Sequence, residues 1–156
     1  MLTPWYVTGF CDGEAAFTYS RSGRTFGLYF ALKQKGDNRQ ILENVQAYFQ
    51  HVGNIYAHKG KESPKNSNFS HPAAYYRVSK IDELKVITEH FDQYPLQSKK
   101  KLEVYQVWRQ MVTHKLENYR DTDYNTLQAL AEKLSHLNTP SRAFSRPAIS
   151  VRAGSR

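Results

Sequence analysis

Asp12 and Glu14 are the only charged residues among the first 16, which carry a net charge of −2. Residues 17–80, by contrast, hold ten Lys or Arg and three acids, a net +7. Two carboxylates on the border of a basic tract place hard oxygen ligands beside a surface suited to a polyanion. Such ligands suit Mg²⁺, which is typically held by one or two carboxylates plus substrate phosphates. Gly9 and Gly13 are four apart, so both lie on one helical face and strip it of side chains. Two copies of such a helix could approach with backbones nearly touching, by the steric argument that underlies small-xxx-small packing. A twofold axis would then bring two Glu14 carboxylates together, and like charges that close raise a pKa unless a divalent cation neutralises them. More basic charge lies in the run Lys99, Lys100 and Lys101 and in the four arginines of residues 138–156. Acids at a helix end and lysines at a helix start both oppose the helix dipole, so the helix that carries each group does not explain it.

The elements that must position these groups follow from pattern. Thr3-Pro4 opens a helix, Thr as cap and Pro at the first position. Residues 5–12 are apolar on nearly every side, which predicts a helix buried all round and ending near Gly13. Residues 15–24 and 27–35 alternate, with Ser22-Gly23 as the turn, and read as a hairpin. Phe17 and Tyr19 fall on one face, with Thr18 and Ser20 on the other. Leu28, Phe30 and Leu32 face the core, while Tyr29, Ala31 and Lys33 face out. Asp37 is expected to cap a helix running to about His51, with Ile41, Leu42, Val45, Tyr48 and Phe49 on its apolar face and Gly53 as its stop. A second strand pair is expected at 54–59 and 74–80, joined by a mobile basic loop over 60–71. Helices follow at 81–91, 98–115 and 124–137. The Ser-, Pro- and Arg-bearing segment 138–156 reads as a disordered basic tail beyond a single domain at 1–137. The order αββαββα, followed by further helices, makes this an α+β chain with antiparallel β-hairpins.

The segment Val7-Thr8-Gly9-Phe10-Cys11-Asp12-Gly13-Glu14-Ala15, preceded by Trp5-Tyr6 and followed by an aromatic strand, resembles the nine-residue motif of the LAGLIDADG homing endonucleases. With the strand order and the basic strands, the resemblance extends over about residues 4–115. It implies a sequence-specific endonuclease that hydrolyses both strands of a long, near-palindromic double-stranded DNA site with Mg²⁺ or Mn²⁺. One motif per chain implies a homodimer, with Tyr6, Gly9, Phe10 and Gly13 at the interface. The resemblance makes Glu14 the metal-binding carboxylate, with Ala15 beside it at the metal, and gives Gln34 the placing of the attacking water. Lys99 or Lys100 would be the basic residue near the scissile phosphate, with the choice among Lys99, Lys100 and Lys101 left open, and Asp12 would be structural. The outward faces of the four strands would form a saddle in the major groove, with Thr18, Ser20, Arg21, Arg24, Tyr29, Lys33, His58, Lys61, Tyr75 and Arg77 as contacts. Arg77 and Arg24 would read guanine, and the lysines would meet phosphates. The chain departs from the motif at Ala15, where glycine is usual, and at Thr8, where alanine is common. Asn38 stands where a basic residue often assists, with Arg39 next to it.

Composition narrows the field further. The 156 residues carry a net +8 and are 40% hydrophobic and 13% aromatic, enough for one domain with a core. No apolar run approaches the roughly 18 residues of a membrane span, and the N-terminus lacks the basic region of a signal peptide. A single cysteine, Cys11, excludes an internal disulfide framework and a cysteine-based zinc cluster, and the six histidines show no ligand spacing. The expectation is a soluble protein of a reducing compartment, the cytoplasm of a prokaryote or an organelle interior, that is not secreted and has no membrane partner. Two rival readings use the same fold: a maturase that binds its host intron RNA, and a DNA-binding regulator that never cuts.

Overall fold

In the computed structural model, which describes residues 1–61 and 70–138, Thr3 Oγ1 accepts from the Tyr6 amide at 3.3 Å and starts α1, Pro4–Glu14. The chain continues through β1 (Ala16–Ser22), β2 (Thr25–Lys35), α2 (Arg39–Tyr48), β3 (Asn54–His58), β4 (Ala73–Val78), α3 (Ile81–Gln93), α4 (Lys99–Glu117) and α5 (Tyr124–Leu137). The expected order αββαββα with additional helices is the one observed, and the expected bounds of the last helix, 124–137, match α5. The described strands form one antiparallel sheet in the order β1-β2-β4-β3, so the two hairpins join through their second strands. No described helix is long and apolar enough to cross a membrane.

Alternation sets the two faces of the sheet as the sequence indicates. Phe17, Leu28, Phe30, Leu32, Tyr76 and Val78 are buried beneath the helices. Phe17 is the hub of this core, its ring centroid 5.2 Å from both Tyr105 and Trp108 and 5.4 Å from Phe91. The other face carries Tyr29, Ala31 and Lys33. Helix α4 is fastened to the first hairpin and the residue just before it by three side chains spaced seven residues apart. Lys101 Nζ donates to the Ala15 carbonyl, Trp108 Nε1 to Thr18 O at 3.0 Å, and Lys115 Nζ to Phe26 O at 2.6 Å.

Three expectations need correction. Helix α1 is buried on one face only: Val7, Thr8 and Cys11 pack inward, while Trp5 and Tyr6 are 54% and 49% exposed. Asp37 does not cap α2. A 3₁₀ turn at Gly36–Asn38 precedes that helix and is fixed by its backbone, since Gly36 N–H donates to Pro72 O at 3.0 Å. Gly53 does not stop α2 either, because the helix ends at Tyr48 and Gln50 and His51 already turn with φ of 58° and 59°. Gly53, at φ 71°, instead opens β3 at a place where a Cβ would lie 2.5 Å from Arg77 O. The expected loop over 60–71 falls largely, and the tail from Thr139 wholly, outside the described residues.

Behind α1 lies a polar chain that the sequence did not suggest. Thr8 Oγ1 donates to Tyr94 O at 2.8 Å, so it accepts from His90 Nε2–H at 3.0 Å, which leaves His90 Nδ1 to accept from Tyr48 O–H at 2.9 Å. Every member is satisfied only while the imidazole is neutral. Burial pushes the His90 pKa down to about 4. The unfolded chain binds a proton near pH 6.5 and the folded one does not, so stability falls as pH drops from about 6.5 to 4, by on the order of 3 kcal/mol. Chemical denaturation across that range will show the slope in the wild type and its loss in His90→Gln. Parallel curves for the two proteins would refute the assignment.

Candidate nucleic-acid interface and active site

The outward face of the sheet is concave. A cavity of about 710 Å³ is walled by Tyr29, Ala31, Lys33, Tyr56, Tyr75 and Arg77, and Glu14 stands at its edge with Ala16. Strand register explains the grouping. Ala31 lies opposite Ala16 on one side and Arg77 on the other, and Tyr75 lies opposite both Lys33 and Tyr56. The small residues Ala16 and Ala31 leave the floor open next to Glu14, while the larger side chains form the walls.

The walls pair cations with rings. The Arg77 guanidinium lies 3.7 Å from the Tyr29 ring centroid, and Lys33 Nζ lies 5.5 Å from that of Tyr75. An arginine stacked flat on an aromatic ring keeps its N–H edges free in a fixed plane, the geometry that bidentate recognition of a base or phosphate requires. The arrangement offers positive charge and ring faces to an extended polyanion, with a carboxylate at one end of the cavity.

Glu14 is the last residue of α1 and is exposed. Asp12, two residues and about half a turn earlier, points elsewhere. Its Oδ2 accepts from the Gln97 and Ser98 amides at 3.2 and 2.9 Å, and its Oδ1 accepts from Ser98 Oγ at 2.6 Å. The acid that looks misplaced at the end of α1 thus sits at the start of α4, where a helix dipole favours it. Lys101, in the first turn of α4, reaches back to the Ala15 carbonyl. Burial pulls its pKa below the usual lysine range, against the opposing effects of Asp12 and Glu14. Lys99 and Lys100 are exposed at the start of the same helix.

The residues singled out in the sequence divide into groups. Glu14, Tyr29, Lys33, Tyr75 and Arg77 come together at the cavity. Thr18 and Ser20 share its face through their pairing with Tyr29 and Gly27, and His58 ends β3 opposite Ala73. Lys61 forms a backbone bridge with Ser70 at the outer end of the second hairpin. Arg21 departs from the outward face, because alternation puts it with Phe17 and Tyr19. Its guanidinium lies 5.4 Å from the Phe26 ring and donates to Tyr124 O–H at 2.6 Å. Arg24 is drawn to the same tyrosine, 4.5 Å from its ring centroid, at the start of α5. Gln34 follows Leu28, Phe30 and Leu32 on the helix-packed side of β2, half-buried, and does not line the cavity. Tyr6 and Phe10 stack on the open side of α1, with rings 6.5 Å apart and nearly parallel, beside exposed Gly9 and Gly13.

The contact of Asp12 with Ser98, that of Lys101 with the Ala15 carbonyl, and the places of Tyr56 and Tyr124 were not anticipated. Alternation in 54–58 could have flagged Tyr56. Lys101 precedes Tyr105, Trp108 and Val112 by four, seven and eleven residues, a helical row that packs inward, so its position was also legible. The contacts from Asp12 to Ser98 and from Arg21 to Tyr124 span 86 and 103 residues and have no local signal.

A divalent cation needs more than one chain offers. Among the described residues no group of three or more His, Cys, Asp and Glu side chains could hold a metal ion. The exposed Glu14 carboxylate fits as half of a shared site. The Ala15 carbonyl fits less well, since the Lys101 ammonium already rests on it and puts positive charge where a cation would bind.

A family model described as LAGLIDADG endonuclease matches residues 7–112. The chain is similar to "Probable intron-encoded endonuclease 2" of Neurospora crassa, 28% identical over 143 residues covering 86% of this chain and 28% of that protein. It is similar too to "Probable intron-encoded endonuclease Cox1-I1b" of Schizosaccharomyces pombe, 33% identical over 109 residues, or 67% of this chain and 25% of the other. Among solved structures it resembles the LAGLIDADG meganuclease I-AabMI bound to uncleaved DNA, with TM-score 0.69 and 27% identity, covering 85% of this chain and 45% of that one. It also resembles the homing endonuclease I-TnaI in fold, with TM-score 0.70 and 23% identity, covering 88% of this chain and 89% of that one. The chain therefore spans about a quarter of those two curated relatives, under half of I-AabMI and most of I-TnaI.

Proposed function

This chain belongs to the LAGLIDADG endonuclease family, and from that premise we propose that it is a homing endonuclease that cuts both strands of a long, near-palindromic DNA site as a homodimer. The observation that carries the reading is the exposed Glu14 carboxylate at the open end of a glycine-faced helix, at the edge of a cavity walled by Arg77, Lys33 and tyrosines. The strands grip the major groove through Tyr29, Lys33, Tyr56, Tyr75 and Arg77, with Thr18, Ser20 and His58 extending the contact along the sheet. Lys61 and the arginines of the tail add phosphate contacts and salt dependence.

Glu14 is the residue that would hold Mg²⁺ or Mn²⁺ together with DNA phosphates, and the ion supplies activation of water and stabilisation of charge on the leaving oxygen. Lys101, Lys99 and Lys100 bring positive charge to the same end of the cavity and favour a bound phosphate. Gln34 is half-buried on the other side of β2, so it reaches an attacking water only if DNA draws the end of the strand around.

Support for the dimer comes from α1. Trp5, Tyr6, Gly9, Phe10 and Gly13 form an open stripe, and a Cβ added at Gly9 or Gly13 would meet nothing within 4 Å among the described residues. A second reading, in which this unit pairs with a similar unit in one longer chain, is favoured by the 45% coverage of I-AabMI. The solution mass of the 156-residue chain separates the two. The test of function is incubation of a plasmid carrying the joined intron-insertion sequence with protein and Mg²⁺. Linearisation with short 3′ overhangs is expected. Salt-sensitive binding without cutting would favour the regulator, and acceleration of host-intron splicing alone would favour the maturase.

A further inference from the structure

We propose that Asp12 is a positioning residue that clamps the lysine-bearing end of α4 against the end of α1, so that Lys101 rests on the Ala15 carbonyl beside Glu14. The inference rests on the nuclease reading for its consequence in catalysis, but the clamp itself stands on geometry alone. Both Asp12 oxygens are engaged: Oδ2 by two backbone amides and Oδ1 by the Ser98 hydroxyl. A carboxylate committed in this way has little capacity left for a metal or a substrate. Ser98 immediately precedes α4 and makes no cap with its own side chain, so Asp12 serves as the cap from 86 residues away.

The consequence falls on three lysines. A helix that begins Lys99-Lys100-Lys101 gathers positive charge where its own dipole is positive, so its first turn is electrostatically disfavoured unless an anion neutralises it. Asp12 provides that anion. It thereby fixes the turn that sends Lys101 back to Ala15, the residue after Glu14 and before Ala16 on the cavity floor. Farther along, Trp108 and Lys115 hold α4 to the hairpin independently. Removing Asp12 therefore loosens the start of the helix and leaves the rest in place.

The test combines amine footprinting with cleavage. Brief acetylation of the free protein, read lysine by lysine by mass spectrometry, should show Lys101 reacting about tenfold more slowly than Lys99 and Lys100, as expected for an amine held in a charge-assisted hydrogen bond. In Asp12→Ala that protection is expected to vanish, and single-turnover cleavage of a duplex carrying the joined intron-insertion sequence should fall about 10²-fold, a displacement effect. Affinity for the same duplex in Ca²⁺ should stay within about threefold, because the groove-facing strands do not depend on the clamp. Asp12→Asn keeps one acceptor oxygen but loses the charge and the second acceptor, so protection and cleavage should both fall between wild type and Asp12→Ala, in step with each other. Protection that persists in Asp12→Ala would overturn the clamp, and so would an Asp12→Asn protein that keeps protection yet cannot cut, since the latter would assign Asp12 to the chemistry. If Asp12→Ala does not fold, Asp12→Asn decides by the same two readouts. A wild type that cuts nothing defeats the nuclease reading while leaving the footprint to judge the clamp.

Discussion

Glu14→Gln is expected to lower the single-turnover cleavage rate by about 10³-fold, the scale of several kcal/mol of lost electrostatic stabilisation in a transition state. The substitution preserves shape and a neutral acceptor but removes the charge that makes the group a ligand for a hard cation. Glu14 is exposed and ends α1, so the fold does not depend on it. The proposed groove contacts lie on other elements, at the cavity-lining Tyr29, Lys33, Tyr75 and Arg77. Affinity for the duplex in Ca²⁺ should therefore be unchanged or slightly higher, since one negative charge near the phosphates is gone. A fall in affinity that matches the fall in rate would mean that Glu14 serves binding. Undiminished cutting would remove Glu14 from the site altogether.

The second large effect concerns association. Gly9→Val is expected to weaken dimerisation by at least about 30-fold, because overpacking a close helix contact costs about 1–3 kcal/mol and a twofold axis applies that cost twice. Among the described residues a Cβ at Gly9 meets nothing within 4 Å, so the described fold raises no steric objection. Gly9→Ala sharpens the contrast. Replacing a mid-helix glycine stabilises the helix by up to about 1 kcal/mol, so the melting temperature of the isolated chain should rise by a few degrees while the dimer dissociates more readily. Sedimentation equilibrium and thermal melts at low protein concentration report the two quantities separately. A Gly9→Val protein that still sediments as a dimer would place the interface elsewhere, and cleavage should fall in step with the dimer fraction.

Much of the frame was legible because periodic burial writes itself into sequence. Phe17, Leu28, Phe30 and Leu32 alternate with Thr18, Tyr29, Ala31 and Lys33, and the sheet places the two sets on opposite faces. The motif around Glu14 could be seen because its glycines and acids lie within one helix. What could not be read were relations between distant segments. Asp12 looked like an acid at the wrong end of a helix until α4 arrived at it, and Arg21 looked like a groove residue until Tyr124 captured it. The apparent all-round apolarity of α1 misled for a related reason. One side packs on the core, and the other, with Tyr6, Gly9 and Phe10, is apolar without being fully covered by the described residues. Gln34 was assigned from its place near the end of β2, whereas strand parity, visible in the same residues, turns it toward the helices.

The three fastenings of α4 to the first hairpin and the residue just before it all end on carbonyl oxygens, at Ala15, Thr18 and Phe26. A carbonyl is the same whichever side chain its residue carries. The hairpin is thus held by parts of itself that substitution does not touch, and the outward positions on β1 and β2 are free to change without loosening their attachment to α4. If those positions read DNA, as proposed, this separates evolvability from stability. Lineages could drift to new target sequences one outward residue at a time, and a designer could randomise Thr18, Ser20, Tyr29 and Lys33 together while expecting most of the library to fold.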